Sequence, residues 1–401
     1  MSDHTAENDA PSGPAASATV DRPGGVPRSA AWFELFYDLV IVATVAATGK
    51  VLSESPDWPT TALIVTALLV LFIIWLLTTL TYSLQPNKDR VRQMLSLMQM
   101  VLLALSALSL GSAGLPNWVG FLAGGGALLT VAAIYWRTAR LTAFTRLTQL
   151  ITRITVLAGL AFLASAVASV WLTSAQATII APVLILIGAG IVLIPFSTVI
   201  TRMLATGGTI NAHHVSERVE VLVVIVLGES LLAQISALTG LGRIPNPVFF
   251  ILAFAVAYAI WTLYEAMVTS SGLPVGAVGL RQWFIGHAVL IIALVLLAVA
   301  ISDLAATDPG DLPGGSVWSP LPVLLTVLAL AWLALITRPA QRAVWVFYGG
   351  AVALIAVVAL VSAALADQVP AIGSWGVLAG AVLIIGMAIT VRLLPATRSP
   401  T

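Results

Sequence analysis

Cysteine is absent from the 401 residues, which excludes disulfides, thiolate metal centres and thiol nucleophiles and leaves the redox state of the compartment unreadable. Charge is scarce as well. Asp, Glu, Lys and Arg together make up 9% of the chain, against about one quarter in a soluble domain. Lysine is confined to Lys50 and Lys88, both at the ends of apolar runs, so no mid-helix lysine exists to carry a retinal Schiff base. Missing too are a nucleophilic serine motif, an HExxH pair and a phosphate-cradling glycine loop. No catalytic residue, cofactor, metal or nucleic-acid partner is therefore expected. His213 and His214 have no spaced acidic or cysteine partners and read as loop residues.

What fills the chain instead is hydrocarbon, with 59% hydrophobic residues. Runs of roughly twenty apolar residues, enough to cross about 30 Å of bilayer core as helix, recur along almost the whole length. The alternation expected of a membrane barrel is not there. The sequence predicts an all-α, polytopic integral membrane helix bundle. Spans are expected near 31–52, 60–84, 91–112, 117–137, 151–173, 177–203, 215–239, 247–269, 282–303, 319–337, 342–366 and 373–395, twelve in all. Pro- and Gly-bearing breakers such as "SESPDWP", "RIPNP" and "DPGDLPGGS" separate them. Residues 1–30, rich in Ala, Pro, Ser, Gly and Asp, read as a disordered tail, and 397–401 as a second, short one.

Lys and Arg accumulate on cytoplasmic loops. Sixteen of the eighteen basic residues fall on one side of this twelve-span arrangement, and only Lys50 and Arg243 fall opposite. Both termini are therefore predicted cytoplasmic, in a multi-pass membrane protein whose first partner is the lipid bilayer.

Two halves, 31–206 and 207–396, read as parallel six-helix repeats. "ELFYDLVIV" from Glu34 resembles "ERVEVLVVI" from Glu217, Trp75 matches Trp261, and "RQMLSLMQMVLLAL" from Arg92 matches "RQWFIGHAVLIIAL" from Arg281. The offsets stay close to one value: 183, 186 and 189. Parallel repeats in transporters place substrate between the halves near the midplane.

A carboxylate at a helix centre costs about 2.5–3.5 kcal/mol on insertion scales. Glu229 lies twelve residues past Glu217, about 18 Å along the helix and near mid-bilayer. It reads either as a proton-accepting group or as a protonated carboxyl donating one hydrogen bond. Gly228 beside it reads as a place where helices pack closely. Glu34 and Asp38, one turn apart, share a face and either repel or share a cation or proton. Glu217, Arg218 and Glu220 open the seventh span, where acids suit the helix dipole. Glu265 lies near the inner end of the eighth span, and Arg92 and Arg281 open the third and ninth as interfacial anchors or partners for the acids. His287, six residues into the ninth span, is a candidate proton relay or a packed core histidine.

In their order these residues resemble the low-temperature-requirement protein A family of multi-pass bacterial membrane proteins. The match runs through Glu34 and Asp38 in "ELFYDLVIV"; through His214, Glu217, Arg218 and the run ending Leu227, Gly228, Glu229; through Trp261 and Tyr264; and through His287. It covers roughly residues 31–303. Tyr37, Ile41, Glu220 and Glu265 depart from the usual pattern, and the extra acid alters the charge of the inner vestibule. The resemblance implies an address in the bacterial membrane and by itself no activity.

Three functions compete. The first is a secondary transporter or proton-coupled permease of an unknown small solute or ion, with Glu229, Glu34, Asp38, Glu217, Arg218, His287 and Glu265 along the path. Arg92, Arg281, Glu220 and His214 would be the charge partners. The second is an ion channel with an acidic cytoplasmic vestibule, and the third a membrane-embedded lipid-modifying enzyme. Tandem helices and scattered small residues permit a homodimer.

Overall fold

A segment that is apolar on every face can satisfy its backbone in hydrocarbon only as a helix. The computed structural model of the chain is helical accordingly. It describes residues 28–54, 57–84, 89–111, 115–141, 145–172, 180, 183–191, 212–269, 274, 277–308, 320–337, 349–350, 353–354, 356–358, 360–361 and 372–393. Ten helices run through them: α1 (Arg28–Glu54), α2 (Trp58–Leu84), α3 (Arg90–Gly111), α4 (Asn117–Leu141), α5 (Thr145–Trp171), α6 (Ala212–Leu241), α7 (Pro247–Met267), α8 (Ala277–Ala306), α9 (Pro320–Thr337) and α10 (Ile372–Leu393). Further helical residues at 183–191 and between 349 and 361 fall inside the sixth and eleventh expected spans. Eight helices, α1 to α8, are long and apolar enough to cross a membrane. The expected tails, apart from 28–30, lie outside the described residues.

Several helices begin earlier than hydropathy places them. α5 starts at Thr145 and α8 at Ala277, and α6 starts at Ala212, so His213 and His214 are helical and not in a loop. The physical reason is that an apolar window marks only the part of a helix that needs hydrocarbon. The polar first turns continue the same backbone ladder outside it.

The first half packs α1 on α2 and α3, α3 on α4, α2 on α4, and α4 most extensively on α5. The second half packs α6 on α7 and α8, α8 on α9, and α7 on α9 and α10. Contacts of α1 and α2 with α6 and α8 join the two. The core is aromatic and β-branched: Trp75, Trp283, Tyr37, Tyr135 and Tyr264 are its largest fully buried side chains. The Tyr135 hydroxyl donates to the Leu77 carbonyl at 2.9 Å, tying α4 to α2. Several threonines inside the spans satisfy themselves locally. Thr44, Thr78, Thr138 and Thr326 each donate to the carbonyl four residues back, which removes the cost of an unpaired hydroxyl in an apolar setting.

The end of α6 turns on Gly242, whose φ of 65° is the left-handed conformation glycine adopts without strain. The turn delivers Arg243 to Asp308 beyond α8, with Nη1–Oδ1 2.8 Å and Nη2–Oδ2 2.6 Å. At the same end Ser53 donates to Asp303 at 2.6 Å, joining α1 to α8.

Asp89 begins α3 by accepting from the Val91 backbone N–H at 3.1 Å, and its other oxygen takes the Arg137 Nε at 2.7 Å. The hydrogen bond from Arg137 holds the Asp89 carboxyl below its ordinary value of 3.8. A depressed carboxyl contributes stability above its unfolded pKa and loses it as pH falls through the lower folded value. Asn caps a helix about as well as Asp, so Asp89→Asn removes the ion pair and keeps the cap. Its melting temperature in detergent is expected to lie slightly below wild type at pH 7, and the gap to close as the buffer is taken below pH 3.8. Asp89→Ala also loses the cap, roughly a further 1 kcal/mol.

Candidate functional site

On α1 the exposed residues Trp32, Phe36 and Leu39 face outward, while Glu34, Tyr37, Asp38 and Ile41 face the bundle. This is the 3.6-residue period at work: positions three and four apart share a face. α6 does the same with His214 and Arg218, four residues apart. Two helices that each present two polar groups at this spacing meet face to face, and a buried ion cluster results.

The Arg218 Nη2 donates to Asp38 Oδ1 at 2.6 Å and to the Glu34 backbone carbonyl at 3.0 Å. Its Nε lies 3.6 Å from Glu34 Oε2. The same Glu34 oxygen is 3.0 Å from His214 Nε2. From α2, the Trp75 indole donates to Asp38 Oδ1 at 2.7 Å. Glu34 is 2% exposed, Asp38 0% and Arg218 5%. Asp38 Oδ2 is buried with no hydrogen-bond partner among the described residues. Arg218 is the guanidinium in direct contact with both acids, and the buried Arg92 adds a longer-range attraction to Glu34.

Behind Asp38 a neutral network continues. The Tyr37 hydroxyl donates to Gln99 Oε1 at 2.8 Å and the Thr78 hydroxyl reaches the same oxygen at 3.1 Å. This second group of hydrogen bonds ties α1 and α2 to α3 beside the cluster. Such networks are costly when half-satisfied and rigid when complete.

The expected site residues separate into groups. Glu34, Asp38, Arg218 and His214 come together as described. Arg92 is buried, unlike an interfacial anchor: it donates to the Thr81 carbonyl at 3.0 Å and lies 4.3 Å over the Tyr82 ring. Arg281, Glu217 and Glu265 are exposed. Glu220 accepts from Ser216 at 2.9 Å. His287 is enclosed between α7 and α8 with both ring nitrogens bonded, Nδ1 to the Trp283 carbonyl and Nε2 to the Tyr264 hydroxyl, each at 2.8 Å. A carbonyl can only accept, so Nδ1 carries the proton and Tyr264 donates to Nε2.

Glu229 stands apart. It lies eleven residues past Arg218, about 16 Å along α6, is half-buried, and has no hydrogen bond or ion pair among the described residues. Gly228 beside it is exposed, and a Cβ there would meet nothing within 4 Å. Among the described residues no helix packs closely on this glycine. Gly228→Ala is accordingly expected to leave the melting temperature unchanged or slightly raised. Alanine exceeds glycine in helix propensity by about 1 kcal/mol. A large drop would show that another surface covers this face.

Sequence reasoning did not assign Trp75 a role at the site, because an indole in an apolar run carries no mark of its partner. Gln99 was detectable as an uncharged polar residue inside an apolar span, but its spacing names no partner.

A helical bundle with several long apolar segments, bearing a charge-paired cluster sealed between two of its helices, defines a polytopic integral membrane protein. More specifically, the chain belongs to the bacterial low temperature requirement A protein (LtrA) family, whose model matches residues 29–387. A comparison with curated proteins returned no match.

Proposed function

We propose that this LtrA protein is a proton-coupled secondary transporter of the bacterial plasma membrane, with both termini cytoplasmic and its ion-coupling centre at Glu34, Asp38, Arg218 and His214. The observation that carries this reading is a buried acid pair on one arginine: one oxygen of Asp38 is sealed from solvent with no hydrogen-bond partner among the described residues, while its other oxygen shares Arg218 with the Glu34 carbonyl. Intramembrane ionisable groups are expensive to keep and mark ion or proton pathways. One proton gained or lost at this cluster changes its charge by one unit, and with it the attraction between α1 and α6. Glu229, farther along α6 and without a hydrogen bond among the described residues, is the second station for a proton.

Transport between two parallel halves is supported by a pair of cavities. One lies among α1 to α5 and the segment at 183–191, with Ala67, Val70 and Ile74 on its wall. The other lies among α6, α7 and α8, with Ala253, Val256 and Ile260 on its wall. Each residue of the second trio stands 186 positions after its counterpart, the offset that also relates Trp75 to Trp261. Thr44 and Thr48 of the first correspond likewise to Leu227 and Leu231 of the second at offset 183. The correspondence supports two related halves, the arrangement on which an alternating-access cycle rests.

Uptake by proteoliposomes of ions, sugars and amino acids, screened at two pH values, is the test. Asp38→Asn preserves the acceptor for Trp75 and Arg218 and removes the titrating charge. The expected result is a protein that still inserts but whose uptake no longer responds to a pH gradient. Glu229→Gln is expected to slow proton-driven uptake as well. Undiminished pH coupling in Asp38→Asn would overturn the assignment, and discrete single-channel currents would mark a channel instead.

A further inference from the structure

We infer that the corner between α4 and α5 is a binding site for an anionic phospholipid, which sets its phosphate on Arg140, Arg146 and Arg153 and its acyl chains on the outer face of α5. The inference does not depend on the transport reading.

The charge at this corner is uncompensated. Residues 90–216 contain no aspartate and no glutamate, so α3, α4 and α5 carry no acid of their own. Asp89, just before α3, is already taken on both oxygens by Arg137, at 2.7 and 3.1 Å. Arg218 and Arg243 likewise meet carboxylates. Arg140, Arg146 and Arg153 are exposed and form no ion pair among the described residues.

The three gather at one end of the bundle. α4 ends at Leu141 and α5 begins at Thr145, so Arg140 and Arg146 flank the same short connection. Arg153 follows Arg146 by seven residues, two helical turns, and shares its face. That face continues with Leu150, Leu157 and Leu160, all exposed. The Arg140 guanidinium lies 3.6 Å over the Trp136 ring, a contact that fixes its direction without cancelling its charge.

Depth agrees with this. Trp171, 82% exposed at the other end of α5, suits the far interface. About 30 Å back along the helix, the thickness of the hydrocarbon, lies Ile151. Arg153 therefore starts at the edge of the apolar layer, and its long side chain reaches out to phosphate level, beside Arg146 and Arg140. Guanidinium groups at one end and leucines beyond them follow the order of a phospholipid, headgroup and then acyl chain. An acidic soluble protein would match the arginines and could not follow the leucines into the bilayer. Basic sites between membrane helices take anionic headgroups, and three guanidiniums suit the two phosphates of cardiolipin better than the one of phosphatidylglycerol.

The test uses the full chain in detergent, with native mass spectrometry reading the lipid retained from cardiolipin, phosphatidylglycerol and phosphatidylcholine. Cardiolipin is expected to bind most tightly, phosphatidylglycerol less so, and phosphatidylcholine at background. Arg140→Gln, Arg146→Gln and Arg153→Gln are each expected to lower cardiolipin affinity roughly fivefold, and the triple variant more than about tenfold. Trp136→Ala, which removes the ring under Arg140 and no charge, is expected to weaken binding as well. Arg281→Gln, at an exposed arginine near the start of α8, is expected to change nothing. The substituted side chains are exposed, so melting without added lipid is expected to match wild type, which checks that each variant folds. Equal retention of the three lipids, or undiminished cardiolipin affinity in the triple variant, overturns the inference. So does an equal loss in Arg281→Gln and Arg146→Gln, which would mean attraction by net charge and not by a site. A corner that holds polyglutamate and ignores cardiolipin would belong to an acidic protein and overturns it too.

Discussion

Arg218→Ala is expected to be the most damaging single substitution in the inner half of the bundle, costing about 3–5 kcal/mol, the usual penalty for removing one partner of a buried ion pair. The loss follows from what stays behind. Glu34 and Asp38 are almost wholly enclosed, and without the guanidinium they face each other across one helical turn, with His214 and the Trp75 indole in contact and Arg92 farther off. Monodisperse protein recovered in detergent should fall sharply, and what survives should melt early. Lysine will not substitute. Its ammonium on a different stem cannot reproduce the planar fork that here reaches the Asp38 carboxylate, the Glu34 carbonyl and the neighbourhood of Glu34 Oε2 together. A rescue separates charge from shape: the triple variant Glu34→Gln, Asp38→Asn, Arg218→Met removes every formal charge the three residues carry, and is expected to recover most of the stability while losing pH-coupled uptake. A single Arg218→Ala as stable as wild type would mean that the acids are not buried in the membrane.

Gly125→Leu is expected to separate α4 from α5, the most extensive helix pair in the fold. A Cβ built on Gly125 lies 2.9 Å from the Gly159 backbone oxygen and 3.1 Å from the Leu163 side chain, and one built on Gly159 lies 3.2 Å from the Gly125 backbone oxygen. A side chain can rotate away from an intruder, whereas a helix carbonyl cannot move without its helix. Alanine at 125 is therefore expected to cost about 1–3 kcal/mol, the range for overpacked interiors, and leucine more. Gly159→Ala should be milder, since its nearest contacts are the Leu129 side chain and a slightly more distant carbonyl. Thermal melts of the three variants in one detergent give the order. A leucine variant that melts with wild type would show that the two helices do not touch at this level.

Much of the molecule was legible from composition and order alone. Every expected span contains helical residues, because an apolar run of twenty residues in hydrocarbon has one way to satisfy its backbone. Glu34 and Asp38 could be placed on one face by spacing, and the family could be recognised from the order of short motifs. Starts were harder: His214 was placed in a loop and belongs to α6, since the polar first turn of a helix carries no hydropathy signal.

The site was legible only as a list of candidates. Sequence ranked Glu229 foremost by its depth in an apolar run, yet Arg218, which read equally well as a snorkelling or a pairing residue, is the charge at the centre of the buried cluster. It left His287 as a proton relay or a packed core histidine, and Arg92 as an interfacial anchor or a partner for the acids. Local spacing says which side chains share a face of one helix and nothing about what the next helix brings opposite them.

What the residues determined by themselves was therefore class and membership: an all-helical membrane protein of the LtrA family, with its acids marked as exceptions in an apolar text. Only tertiary structure decided which exceptions meet, and the reason is one of range. Hydrophobic burial and helix periodicity act over a few residues and are written along the chain, whereas the pairing of Arg218 with Asp38 spans 180 positions and exists only once α1, α2 and α6 have packed.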